Sequence, residues 1–115
     1  MIVPNFRGST GFGLAHMDAA LGDGCGVVDL ADCVACARHV AALDGVDAAR
    51  GVAVAGHSWG GYLALRALTD ARARDAFSCG VSCAGISDWF VQQRHTEARR
   101  GEASDRALTG SGMKL

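Results

Sequence analysis

One short stretch carries residues of the right type and spacing for chemistry: Gly56-His57-Ser58-Trp59-Gly60-Gly61. A serine hydroxyl is a poor nucleophile unless it is exposed, rigidly held and set beside a base. The G-x-S-x-G spacing provides exposure and rigidity when it falls on a sharp turn between a strand and a helix, because the turn pushes the serine out of the sheet edge. Such a turn favours glycine. Gly56 and Gly60 are therefore expected where a Cβ would clash, and Gly61 where the helix closes on the strand. The backbone N–H of Trp59, at the helix start, would then point at a developing oxyanion. The chemistry this predicts is acyl transfer through Ser58. The competing description is a glycine-rich turn ahead of an ordinary helix, and the flanking sequence has to decide.

The flanks have the required form. Residues 51–55 are a short apolar run, as expected of a parallel strand covered on both faces. After Ser58 an apolar-periodic pattern predicts a helix over about residues 60–73, then a break at Asp75-Ala76. A second buried strand is expected over 77–84, with Val81 at its centre and Cys79 and Cys83 on alternate positions. Residues 27–43 are the clearest helix. Leu30, Val34, Ala37 and Ala41 make one apolar stripe flanked by Cys33 and Val40, and Asp44-Gly45 stops the helix. Upstream, Ile2-Val3 reads as the end of a buried strand. Residues 4–13 read as a loop broken by Gly8, Gly11 and Gly13, and 16–26 as polar loop. Downstream, Ser87 is placed to cap a helix beginning at Asp88. The order strand, helix, strand, helix, strand is that of a parallel α/β sheet of about three strands with right-handed crossover helices.

Composition narrows the function classes. The chain has 115 residues, half of them apolar, with a net charge of −1. That balance gives no electrostatic case for nucleic acid or an anionic membrane. No secretory segment opens the chain, and no apolar run approaches membrane-spanning length. The cysteines, Cys25, Cys33, Cys36, Cys79 and Cys83, are odd in number. Free thiols in a reducing cytoplasm account for them most simply.

Other chemistry-bearing residues take blander roles. Cys33 and Cys36 share one helix face, but no second pair with histidines follows at zinc spacing, so they are expected as small buried hydrophobes. His16, Asp18 and Asp23 fit no standard metal spacing and are expected in a solvated loop. His39 is expected at a helix end. No metal or cofactor is expected.

Three stretches together resemble one family. Pro4-Asn5-Phe6-Arg7-Gly8-Ser9-Thr10-Gly11-Phe12-Gly13 is similar to the loop PNYRGSTGYG of the prolyl oligopeptidase family, in its acylaminoacyl-peptidase and dipeptidyl-aminopeptidase-like branch. Gly56-His57-Ser58-Trp59-Gly60-Gly61-Tyr62 resembles that family's G-x-S-x-G-G-Y nucleophile elbow. Gly85-Ile86-Ser87-Asp88-Trp89 resembles the segment after the next strand. The resemblance covers about residues 2–99. It implies a partial α/β-hydrolase fold truncated at both ends, occupying residues 1–98; beyond it, Gly101, Ser104, Gly110, Ser111 and Gly112 interrupt any pattern, and 99–115 read as a divergent, disordered tail.

The same resemblance implies a serine peptidase with a peptide substrate. Ser58 carries over as nucleophile and the Trp59 N–H as oxyanion donor. In this family the acid and the histidine follow the serine on later strands and loops, which are expected to lie outside this chain. The upstream His-Gly-Gly-Pro-like loop and the β-propeller are likewise expected to be missing. Within the chain, His95 and Asp88 are the local substitutes to consider, and helix capping is the expected role of Asp88. The chain alone is therefore expected to be inactive, and its bare sheet edges offer a route to self-association. The rival readings are a carboxylesterase or lipase-like hydrolase sharing the same elbow, and a non-catalytic remnant.

Overall fold

The computed structural model describes residues 1–95. The chain divides into two compact units. Among the described residues, the first takes Met1–Pro4 with Leu30–Ser87, and the second takes Asn5–Asp29 with residues 88–95.

The second unit begins with the glycine loop. Gly8, Gly11 and Gly13 all adopt positive φ (104°, 93° and 89°), which explains why no regular element forms there. The expected polar loop at 16–26 instead holds a single helical turn, α1 (Leu14–Asp18), and a 3-10 turn at Gly22–Gly24. His16 stabilises this local order: its carbonyl accepts from Gly8 N at 2.9 Å, and its Nε2 lies 3.1 Å from the Phe6 carbonyl.

Helix α2 (Val28–Ala41) passes from one unit into the other. Its stripe is as the periodicity requires, with Leu30, Val34 and Ala37 buried. His39 is exposed in its last turn. Cys33 and Cys36, one turn apart, are half-buried and form no disulfide.

The first unit is a β–α–β crossover. Strand β1 (Ala53–His57) leads through Ser58 into helix α3 (Trp59–Thr69), and the chain returns as β2 (Cys79–Cys83), parallel to β1. The register pairs Val54 with Gly80 and Gly56 with Ser82, and on the alternate face Ala53 with Cys79, Ala55 with Val81 and His57 with Cys83. The first face meets α3: a Cβ at Gly80 would lie 2.8 Å from Val54 Cγ1 and 3.0 Å from Leu68 Cδ1. Helix α3 buries Tyr62, Leu63, Ala64 and Ala67. A fully buried Tyr- or Leu-sized side chain contributes on the order of 2 kcal/mol, so this face provides much of the local stability.

Three expectations are corrected here. The parallel α/β class holds, but the sheet has two strands among the described residues rather than three. Ile2 and Val3 lie outside any strand and are exposed, because a two-residue stub followed by Pro4, which has no N–H, cannot build a ladder. Second, 77–84 is not a buried strand. Every residue of β2 is exposed, Val81 at 65%. A crossover helix covers only one face, and a continuous apolar run needs both covered. Third, α3 ends at Thr69, not near Ala73. Asp70 turns extended (φ −78°, ψ 128°), and its carboxylate accepts from the N–H and guanidinium of Arg72 and from Arg66. That local network replaces the last helical turn.

Helix α4 (Trp89–His95) starts from Asp88 rather than from Ser87. Asp88 Oδ1 accepts from Phe90 N at 2.8 Å and Val91 N at 3.0 Å, the bonding of an N-cap. The expected tail at 99–115 lies outside the described residues. No described helix is long and apolar enough to cross a membrane.

Candidate functional site

The site is built on the joint between β1 and α3. Ser58 occupies it alone, at φ 54° and ψ −114°, a conformation that L-residues rarely adopt and that costs of order 1–3 kcal/mol. Two backbone bonds hold it there. Its N–H donates to the Cys83 carbonyl at 2.9 Å, and its carbonyl accepts from Tyr62 N at 3.0 Å. The first bond ties the turn to the end of β2, and the second starts the helix.

The side chain is left over. Serine at a helix N-cap ordinarily spends its hydroxyl on the first-turn amides. Ser58 is the N-cap of α3, yet its side chain makes no cap bond, and the residue is exposed. Trp59 is the first helical residue, so its N–H lies at the positive end of the α3 dipole, beside that hydroxyl. Its indole packs on the Tyr62 ring, centroids 5.1 Å apart and planes tilted by 48°, which anchors the first turn.

Glycines permit the close approach, though not all as expected. A Cβ on Gly56 would strike the backbone of Gly60. A Cβ on Gly61 would sit 2.6 Å from Gly85 Cα and 3.0 Å from the Cys83 carbonyl oxygen. The expected clash at Gly60 is corrected: a Cβ there meets nothing within 4 Å. Gly60 is the backbone that Gly56 avoids, not a position that itself excludes a side chain.

Sequence reasoning missed the support from β2. Ser82 Oγ donates to the Gly61 carbonyl at 3.1 Å, Ala84 adopts a positive φ of 49°, and Gly85 lies against Gly61. These partners are twenty or more residues from the motif, so local pattern could not reveal them. The one available signal was a glycine directly after an apolar run, the mark of a close backbone approach.

No described histidine side chain is hydrogen-bonded to the Ser58 hydroxyl. His57 lies on the open face of the sheet, opposite Cys83. Asp88, the local candidate acid, is engaged in capping α4. No group of three or more metal-ligating side chains occurs among the described residues.

The family profile described as "Prolyl oligopeptidase family" matches residues 1–109. The chain belongs to the prolyl oligopeptidase family. Its Ser58 turn and its glycine loop thus lie within one matched stretch of a peptidase family. Among curated members, a dipeptidyl aminopeptidase BIII of Pseudoxanthomonas mexicana is 43% identical over 86 residues, covering 73% of this chain and 12% of its own length. A probable dipeptidyl-aminopeptidase B of Metarhizium robertsii is 38% identical over 73 residues, covering 63% of this chain and 8% of its own. The chain therefore spans only about a tenth of those prolyl oligopeptidase family relatives. No solved structure gives a significant match.

Proposed function

We propose that Ser58 is the acylated nucleophile of a serine peptidase catalytic domain, and that no base or acid partners it among the described residues. The observation that carries the reading is the conformation of Ser58: a strained, exposed serine between strand and helix whose hydroxyl is not used as a cap. Strain of this kind persists only where surrounding structure over-determines it, as the bonds to Cys83 and Tyr62 do.

The chemistry follows from that placement. Ser58 Oγ attacks a peptide carbonyl carbon and its proton passes to a base. The carbonyl oxygen gains charge within reach of the Trp59 N–H. The tetrahedral adduct then collapses, expelling the protonated amine and leaving an ester on Ser58, which water hydrolyses. The dipeptidyl aminopeptidase names of the relatives favour short peptides as the substrate class. Removing a triad member typically costs several orders of magnitude, so this chain alone is expected to turn over almost nothing.

The test is hydrolysis of dipeptidyl p-nitroanilides by the purified chain beside Ser58→Ala. The expected result is no turnover above the buffer blank by either protein. Turnover that Ser58→Ala abolishes would show that the chain supplies its own base. Turnover that survives the substitution would remove Ser58 from the reaction.

A further inference from the structure

We infer that Ser82 is a positioning residue for this site, its hydroxyl setting the orientation of the Trp59 N–H through the first turn of α3; the inference rests on the nucleophile reading of Ser58. Two consecutive residues of β2 grip the turn. The Cys83 carbonyl takes the Ser58 N–H at 2.9 Å, and Ser82 Oγ donates to the Gly61 carbonyl at 3.1 Å. Trp59 and Gly60 lie between these two tethers. The peptide plane that aims the Trp59 N–H is thus held on both sides by the same strand.

The space around Ser82 is shaped for this bond. Its register partner is Gly56, on the α3 face of the sheet. A Cβ on Gly85 would run into Ser82 Oγ and lie 2.6 Å from the Gly61 carbonyl carbon, and a Cβ on Gly61 would lie 2.6 Å from Gly85 Cα. Three positions without side chains thus surround one hydroxyl. Gly61 and Gly85 bring the helix and β2 close enough for a side chain as short as serine to span the gap. The carbonyl it reaches belongs to the helix turn that carries the oxyanion donor.

The test uses the full chain, Ser82→Ala and a matched control, Ser78→Ala, which removes a similar hydroxyl-to-carbonyl bond (to Val52, 3.3 Å) at the far end of the sheet. The probe is an alkyl fluorophosphonate. Ser58 Oγ forms the bond to phosphorus, fluoride leaves, and the hydroxyl proton goes to solvent base. A misaimed donor slows the chemical step and leaves probe affinity alone. Ser82→Ala is expected to lower the limiting labelling rate on the order of fivefold to tenfold, as the loss of one hydrogen bond allows, with half-saturation unchanged. Amide hydrogen exchange is expected to quicken at residues 59–62, and Ser78→Ala to do neither. Wild-type labelling that Ser82→Ala does not slow, or an equal loss in Ser78→Ala, would overturn the positioning role alone. A wild-type chain that takes no phosphonate would refute the Ser58 reading, and the role assigned to Ser82 with it.

Discussion

The N–H of Ser58 donates to the carbonyl of Cys83 over 2.9 Å, so the residue after β1 is held by the last residue of β2. The parallel ladder runs one step past the strand and fixes the serine where the backbone would otherwise relax. Its positive φ is thus imposed by the sheet, not chosen by the residue.

Strain imposed in this way is measurable. Glycine adopts such a conformation without the steric penalty, whereas alanine keeps the Cβ that causes it. Ser58→Gly is therefore expected to be more stable than Ser58→Ala by about 1 kcal/mol, the strain relieved less the entropy that glycine adds. Denaturant titration of the two variants checks this, and equal midpoints would contradict an imposed strain.

Gly56 and Gly60 should behave oppositely, although the motif treats them alike. A side chain on Gly56 meets the backbone of Gly60, which has no rotamer to yield, so Gly56→Ala is expected to cost 3 kcal/mol or more, at or above the top of the roughly 1–3 kcal/mol typical of overpacking. Gly60→Ala places its methyl in open space within α3 and is expected to be neutral or to gain up to about 1 kcal/mol of helix propensity. Thermal unfolding of both variants decides the matter, and equal losses would show that the site is shaped otherwise.

The end of α3 should be sensitive to acid. Hydrogen bonds from Arg72, and then from Arg66, hold the Asp70 carboxyl well below the usual carboxylate range, and its side chain is only 11% exposed. A group whose folded pKa is lowered contributes stability that is fully present above its unfolded pKa, about 3.9, and is lost as pH falls below that. Wild type is expected to exceed Asp70→Asn in stability at neutral pH by about 1 kcal/mol, discounted for the exposed Arg72 partner. The gap should narrow on acidification from about pH 4 downward. A gap that stays constant to pH 2 would refute the assignment.

The thiols should separate by environment. Burial first, and the Asp29 charge second, push Cys25 up to about 11, while Cys79 and Cys83 lie exposed on the open sheet face. At pH 8 a disulfide reagent is expected to modify Cys79 and Cys83 rapidly and Cys25 only on unfolding. Fast reaction of Cys25 in the folded chain would contradict its burial.

Reading the sequence succeeded where the information was local. Residues 53–69 announce strand, turn and helix through apolar runs on either side of paired glycines, and the joint falls at Ser58 as expected. It failed where the deciding partner was distant or was a side chain. An apolar run such as 77–84 states that burial is wanted but not what provides it, so the open face of β2 is not legible in it. The early stop of α3 depends on the Asp70 network outcompeting helix bonds. Gly60 reads as a clash position because the motif shows which positions are small, not whose backbone needs the room. Ser82 reaches Gly61 across twenty-one residues, beyond any periodicity.

Covalent trapping decides whether Ser58 is a nucleophile. The chain would be treated with an alkyl fluorophosphonate, digested, and every serine examined for the adduct by mass spectrometry. One modified site is expected, Ser58, formed more slowly than in a hydrolase with a complete triad, and lost in Ser58→Ala. Adduct spread over Ser9, Ser78, Ser82 and Ser87 at rates equal to Ser58 would contradict it, leaving the turn a strained joint without a nucleophile.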